Sequence, residues 1–396
     1  REGEEDREFD ALIPDTLEPS PLPVRLRPDN PEFAAAWSDL WGFRHDMGST
    51  EVRASEVPGA RLRVMRDRGD GYPAWVLDKL NIEVMFANRV AMGRGLVPER
   101  FRWVAFDDAL ILPLSSSAVR KINPDYAAFY PGEDALLRRY LSDLNMKAVP
   151  ATLREFTARV VTPTLERQKR GGAVAVKFEA AYLRALDFAD ASEQEAARVY
   201  ARYARGPDSK VAPTAAEYKP LQDFLFRYVA REAGRLGLAV HIHTGAGVGS
   251  YYGVSGGDPL LLEPALNDPV LRKTNFVLIH GGWPYARHAA ALLDKPNVYL
   301  DFSAQTFFLY PRELAENLRV WLERQPEKIL FGTDAFLFSP EVGWEEVGWL
   351  SNRTGRDALA LALTAMMRDG EITRPRASEL ARMVMRENAA RLYGIK

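Results

Sequence analysis

From residue 73 onward the chain alternates short, nearly continuous apolar runs with longer stretches whose apolar residues recur every three to four positions. The short runs predict strands of a parallel sheet buried on both faces, and the longer stretches predict the amphipathic helices that cover it. Strand candidates fall near residues 84, 104, 175, 240, 277, 299 and 330, seven in all. Between them, "AAEYKPLQDFLFRYVAREAGRLG" (215–237) reads as a helix closed by glycine, with Ala216, Leu221, Leu225, Val229 and Ala230 near one face. Residues 284–295, 311–325 and 376–395 read as further helices. Strand and helix in alternation define an α/β fold.

Two stretches break this rhythm. Residues 1–35 are rich in proline and charge and are expected to run as extended loop, with 1–72 as a whole packed on a larger body. Residues 118–172 predict a mostly helical insertion. Within it Pro163 has to kink or interrupt the second helix, because proline lacks an N–H and its ring crowds the preceding turn. The apolar faces of the insertion suit either a lid or a subunit contact, and the second reading makes a homodimer the expectation. The 396 residues are otherwise read as one domain.

Composition narrows the classes of function. Basic and acidic residues number 52 and 54, giving a formal net charge of −2. No domain-wide positive field is available for phosphates, so nucleic acid is not an expected partner. The chain has no cysteine, which removes disulfides, thiolate zinc sites and cysteine nucleophiles together. No apolar stretch reaches the length of a membrane span. The compartment is left open, with the cytoplasm favoured over export.

Chemistry gathers where the strands end. Arg89, Asp107 and Asp108, Lys177 and Glu179, His241 and His243, His280, Asp301 and Asp334 all lie at or just past C-terminal strand ends. A closed (β/α)8 barrel concentrates its reactive groups on that face, because its loops converge on one mouth. The open doubly wound alternative wants a glycine-rich turn between an early strand and a helix. "GAGVGS" (245–250) follows a late strand and leads into no helix, so it reads as mouth lining. Only five histidines occur, and three of them end apolar runs. His241 and His243 point to the same side of their strand, one layer apart. Neutral imidazoles with an aspartate are suited to divalent zinc, manganese or iron. His288, inside a helical pattern, reads as structural, and His45 has no placement.

The stretches "HIHTG", "VLIHGGWPYARHAAALLDKPNVYLDFS", "ILFGTDA" and "RENAARLYGI" resemble the amidohydrolase-related family, the amidohydrolase 2 branch, and within it the nodulin- and FluG-like members. "VAVKFEAAYLRAL" (174–186) is similar to the fourth-strand region of that branch. The resemblance implies a (β/α)8 TIM barrel with one or two metal ions at the strand ends: zinc, or another divalent ion such as manganese or iron(II). It assigns His243, His280 and Asp334 as metal ligands, with His280 alternatively polarising the substrate and Asp334 also carrying protons. Lys177 joins the ligands if carboxylated; otherwise it is an anion-binding or salt-bridged lysine. The family's first strand carries an H-x-H pair that residues 1–72 do not supply, and the strand count is one short of eight. The missing first strand is expected upstream of Arg1; the alternative is a member that has lost its primary metal.

These assignments imply a metal-dependent hydrolase that cleaves an amide or other C–N or C–O bond of a small carboxylated, anionic substrate with metal-activated water. Arg184 and Arg89 are the candidate carboxylate clamps, each with a plain salt bridge as its alternative. His241, Trp283 and Tyr285 are expected around the substrate. Two other functions remain open: non-oxidative decarboxylation by the same metal site, and a catalytically silent barrel acting as a binding or structural protein.

Overall fold

A computed structural model describes residues 22–43, 50–204, 206–207 and 209–395. His45 lies outside them. The seven expected strands are all present: β1 (Met85–Arg89), β2 (Phe101–Phe106), β3 (Ala173–Phe178), β4 (Ala239–His243), β5 (Phe276–Ile279), β6 (Val298–Asp301) and β7 (Ile329–Leu330). They pair side by side in chain order, all parallel, as one seven-stranded sheet. The sheet curls into a half-barrel. Among the described residues β1 and β7 are not paired, so the sheet is barrel-type and open on one side, with seven strands rather than the eight of a closed barrel.

Register fixes which side chains share the concave face. Val104, Ala175 and Ala239 lie in one row, and two residues further along, where the side chain returns to the same face, Phe106, Lys177, His241 and Val277 form the next. His243 and Ile279 make the row above. The small apolar row packs against Phe86, Leu392 and Tyr393, which places the C-terminal helix Asn388–Tyr393 against the inside of the sheet. The convex face carries the main core, built with the helix Ala215–Arg235 and its neighbours. On that helix Tyr218 and Leu221 are buried, whereas Ala216 is exposed and does not belong to the core stripe.

Three local readings change. The N-terminal region is more helical than its proline and charge content suggested: Glu32–Trp41 and Thr50–Arg68 are helices. Phe33, Trp37, Val57 and Val76 from this region form a second core with Val347 and Leu350 of the helix Trp344–Arg368. That 25-residue helix has no counterpart among the elements read from periodicity. Pro163 does not break its helix. The chain stays helical from Leu153 to Arg170, with one π-helical turn at Thr157–Val161 immediately before the proline. A wider turn loosens the backbone where the ring would otherwise meet the preceding carbonyl. No helix among the described residues is long and apolar enough to cross a membrane.

Candidate active site

The C-terminal strand ends open into a cleft of about 1940 Å³, lined from Val84–Arg89 at one sheet edge to Leu330–Phe338 at the other. His241, His243, Glu179, His280, Trp283, Asp301, Ser303 and Asp334 line it, as does Arg89. Five strands, β3 to β7, therefore deliver imidazoles and carboxylates to one cavity from their C-terminal ends.

Local backbone explains the convergence. His280 and Asp334 both adopt the left-handed region, with φ of 68° and 52°. Non-glycine residues take that conformation at some cost, and it turns each side chain sharply as its strand ends. Thr244 ties two strand ends together: its hydroxyl donates to the Ile279 carbonyl at 2.7 Å and accepts the Gly282 N–H at 3.0 Å. Gly245, at φ +78°, lies so close to Gly282 and Trp283 that a Cβ there would overlap the Trp283 carbonyl. Only glycine fits that approach.

A chain of polar contacts crosses four strands. Lys177 Nζ donates to Glu179 Oε1 at 2.5 Å. Glu179 Oε2 is 3.3 Å from His243 Nδ1, which is 3.1 Å from His280 Nε2. His280 Nδ1 is 2.9 Å from Ser303 Oγ, and Ser303 in turn donates to Asp301. Below this chain, His241 Nε2 meets the Tyr393 hydroxyl at 2.6 Å. Burial lowers the pKa of all three histidines, and Lys177 adds to the effect in each. His241 falls to about 3 and His280 to about 4, while His243, which also faces His280, lies well below its usual range. These imidazoles are neutral at physiological pH. Asp334 moves the other way, its carboxyl raised by desolvation against the opposing pull of Lys177.

The expected site residues divide into those the cleft gathers and those it does not. Arg89, His241, His243, His280, Trp283 and Asp334 line it, and Lys177 reaches it through Glu179. Arg184 lies elsewhere, in an ion pair with buried Asp223 at 2.7 Å and with its guanidinium over the Phe188 ring. That is the salt-bridge alternative, and Arg184 is corrected from cleft to scaffold. Tyr285 is likewise absent from the lining and stacks on His288, which pairs with Asp258 at 2.9 Å. Lys177 is buried and bonded to the carboxylate of Glu179. Ser303, Tyr182 and Tyr393 were not legible as site residues. Tyr182 packs 4.7 Å from the His243 ring, yet nothing in "EAAYLRAL" marks it. Asp301 did stand at a strand end, and that position was its signal.

The implied metal can be tested against these donors. His243 Nε2 is buried without a hydrogen-bond partner, and Asp334 faces the same cleft. Both nitrogens of His280, however, are engaged by Ser303 and His243. Among the described residues no group of three or more His, Asp or Glu side chains is placed to hold a metal ion. A zinc site takes three or four protein ligands, so the donors described here do not make one up.

Comparison with known proteins agrees with the architecture. Residues 114–395 match the family model described as amidohydrolase. A stretch of 229 residues is 29% identical to the protein fluG of Emericella nidulans, covering 56% of this chain and 25% of that one. The chain thus matches only about a quarter of this relative's length. Among solved structures, a protein described as a metal-dependent hydrolase from Lactobacillus casei aligns with a TM-score of 0.61 at 17% identity, covering 94% of this chain and 93% of that one. The glucuronate isomerase of Caulobacter crescentus aligns with a TM-score of 0.63 at 15% identity, over 93% of this chain and 75% of its own. At these identities the two structures speak for the fold alone.

Proposed function

The chain belongs to the amidohydrolase family, and on that premise we propose that it is a hydrolase acting on an amide or ester-type bond of a small carboxylated substrate. The observation that carries this reading is that an unpartnered, buried imidazole nitrogen, His243 Nε2, and the carboxyl group of Asp334 line one cleft. A carboxyl group whose pKa is raised by its surroundings is suited to proton exchange near neutral pH. In the proposal Asp334 takes a proton from the attacking water and returns it to the leaving amine or alcohol. Arg89 receives the substrate carboxylate, since a guanidinium fork matches two oxygens. Trp283 supplies an apolar wall. His280 acts through His243, both of its nitrogens being occupied.

Metal dependence is part of the same proposal. Zinc, manganese or iron(II) would draw on His243 Nε2 and Asp334 and would need donors beyond those described.

The test is a panel of N-acyl amino acids, dipeptides and lactones, incubated with the protein alone and with zinc or manganese chloride. Release of an amine or alcohol together with an acid supports hydrolysis; release of carbon dioxide from a carboxylate substrate overturns it in favour of decarboxylation. Asp334→Asn should lower kcat by on the order of 10²–10⁴ with an unchanged circular dichroism spectrum. Full activity in that variant removes Asp334 from the mechanism. Elemental analysis after expression in zinc- or manganese-supplemented medium tests the metal dependence: bound metal supports it, and none removes it.

A further inference from the structure

Three of the strand ends that carry polar groups into the cleft run on into aromatic side chains. Trp283 follows His280 by three residues, Phe308 follows Ser303 by five, and Phe336 and Phe338 follow Asp334 by two and four. All four line the cleft and are half-buried rather than enclosed. They are linked ring to ring. Trp283 stacks on Phe308 with centroids 6.1 Å apart and planes at 25°. Phe308 meets Phe307 at 4.7 Å, Phe307 meets Phe338 at 5.4 Å, and Phe338 meets Phe336 at 4.0 Å. Phe307 is the anchor, buried in the second core, whereas its neighbour Phe308 lines the cleft. Core packing does not account for the whole surface. Leu337, between the last two rings, is 65% exposed, and Met65 of the helix Thr50–Arg68 is 42% exposed; both line the same cleft. Exposed apolar surface gathered in one concavity marks a groove for a ligand. The opposite edge differs: the end of β1 brings Asn88 and Arg89 to the lining. Across its width the cleft is therefore polar and cationic by β1 and aromatic beyond β5, β6 and β7.

We propose that Trp283, Phe308, Phe336 and Phe338 form a specificity surface for an aryl group, and that the substrate is an aryl-bearing carboxylate. Its simplest form is an N-aroyl amino acid, with the carboxylate toward β1 and the ring against the aromatic wall. Aromatic rings prefer offset or edge-on partners, and such pairs add to what the burial of area alone supplies. A wall of tilted and stacked rings offers a planar ligand both kinds of contact. A polyhydroxylated substrate would need hydrogen-bonding partners along its length, and the run 335–338, "AFLF", supplies no polar side chain. The place of the cleaved bond, between the two ends, rests on the hydrolase reading; recognition of the ends does not.

The test uses three ligands that differ only in the acyl group: N-benzoylglycine, N-(cyclohexanecarbonyl)glycine and N-acetylglycine. Dissociation constants for the full chain, with zinc chloride present, are measured by ligand-observed NMR titration, and release of glycine is followed in the same samples. N-benzoylglycine should bind about ten-fold or more tighter than N-acetylglycine, because its acyl group buries more apolar area. It should bind about 2–10-fold tighter than the cyclohexane ligand, which matches its size without a π-face. Phe336→Leu and Phe308→Leu each keep an apolar side chain and remove a ring. Each should bring the benzoyl-to-cyclohexanecarbonyl preference toward one and leave the affinity for N-acetylglycine unchanged. Equal binding of the two ring ligands by the wild type overturns the proposal, as does no detectable binding of N-benzoylglycine. An unchanged preference in both folded leucine variants overturns it too. Selective binding of N-benzoylglycine without release of glycine supports the aryl surface and counts against the hydrolase reading alone. Release of glycine from all three ligands at equal kcat/KM does the reverse.

Discussion

At the scale of the residue, the site is governed by what burial does to charge. His241 is almost fully buried, and its pKa falls to about 3 from an ordinary 6.5. Below pH 6.5 the unfolded chain binds a proton that the folded chain refuses until about pH 3. Stability from this residue is therefore complete above pH 6.5 and is lost as the pH falls through that window, at about 1.4 kcal/mol per unit for one group. Replacing His241 by Leu removes the titration. Between pH 7 and pH 5 the wild type should lose about 2 kcal/mol more than the variant, as measured by urea unfolding at each pH. Equal losses would mean that the ring is protonated, or exposed, in the folded state. His241 was legible in "HIHTG", and so was its strand face. That it sits beside Lys177 was not, because that neighbour lies on another strand.

At the scale of the element, the strands were the most readable part and the closing helix the least. A parallel strand buried on both faces must be apolar throughout, so seven such runs announced themselves. The C-terminal helix was visible as a periodic pattern, but periodicity says only that one side is apolar. It does not say that the helix lies on the concave side of the sheet, with Tyr393 edge-on to Phe86 at 4.4 Å and its hydroxyl on His241. Tyr393→Phe leaves His241 Nε2 buried without its partner, and an orphaned buried polar group costs about 1–3 kcal/mol. Chemical denaturation should show a loss of that size; a neutral result would place water or another donor at the imidazole. The helix Trp344–Arg368 went unread for a similar reason. Polar residues such as Glu345, Glu346, Ser351 and Thr354 are buried within it, and they blur the stripe that marks an amphipathic helix.

At the scale of the whole molecule, two cores divide the work. One lies between the sheet and its outer helices; the other joins the N-terminal helices to Trp344–Arg368 and includes Trp37, which is fully buried and stacks on Phe33. Trp37→Ala opens a cavity in the second core, and removing so large a buried ring costs about 3–5 kcal/mol. The expected result is a lower urea midpoint with the sheet still formed, seen as retained amide protection in β3, β4 and β5. Loss of protection in those strands would show that the two cores unfold as one. The cleft lies where the sheet is open, between β1 and β7, and draws its lining from both edges.

Local sequence was enough for the seven strands, their parallel arrangement, and the polar residues that follow them, with His243 ending β4, His280 just past β5 and Asp334 four residues past β7. Each of these is a property of consecutive residues: an apolar run, its length, and the polar residue that stops it. The tertiary structure alone decided which polar groups touch. It set Arg184 on Asp223 rather than in the cleft, brought Ser303 to His280, and placed Tyr393 under His241. A hydrogen bond depends on a few ångströms and a direction between residues that can lie far apart in the chain, 152 positions for His241 and Tyr393, and local pattern carries neither.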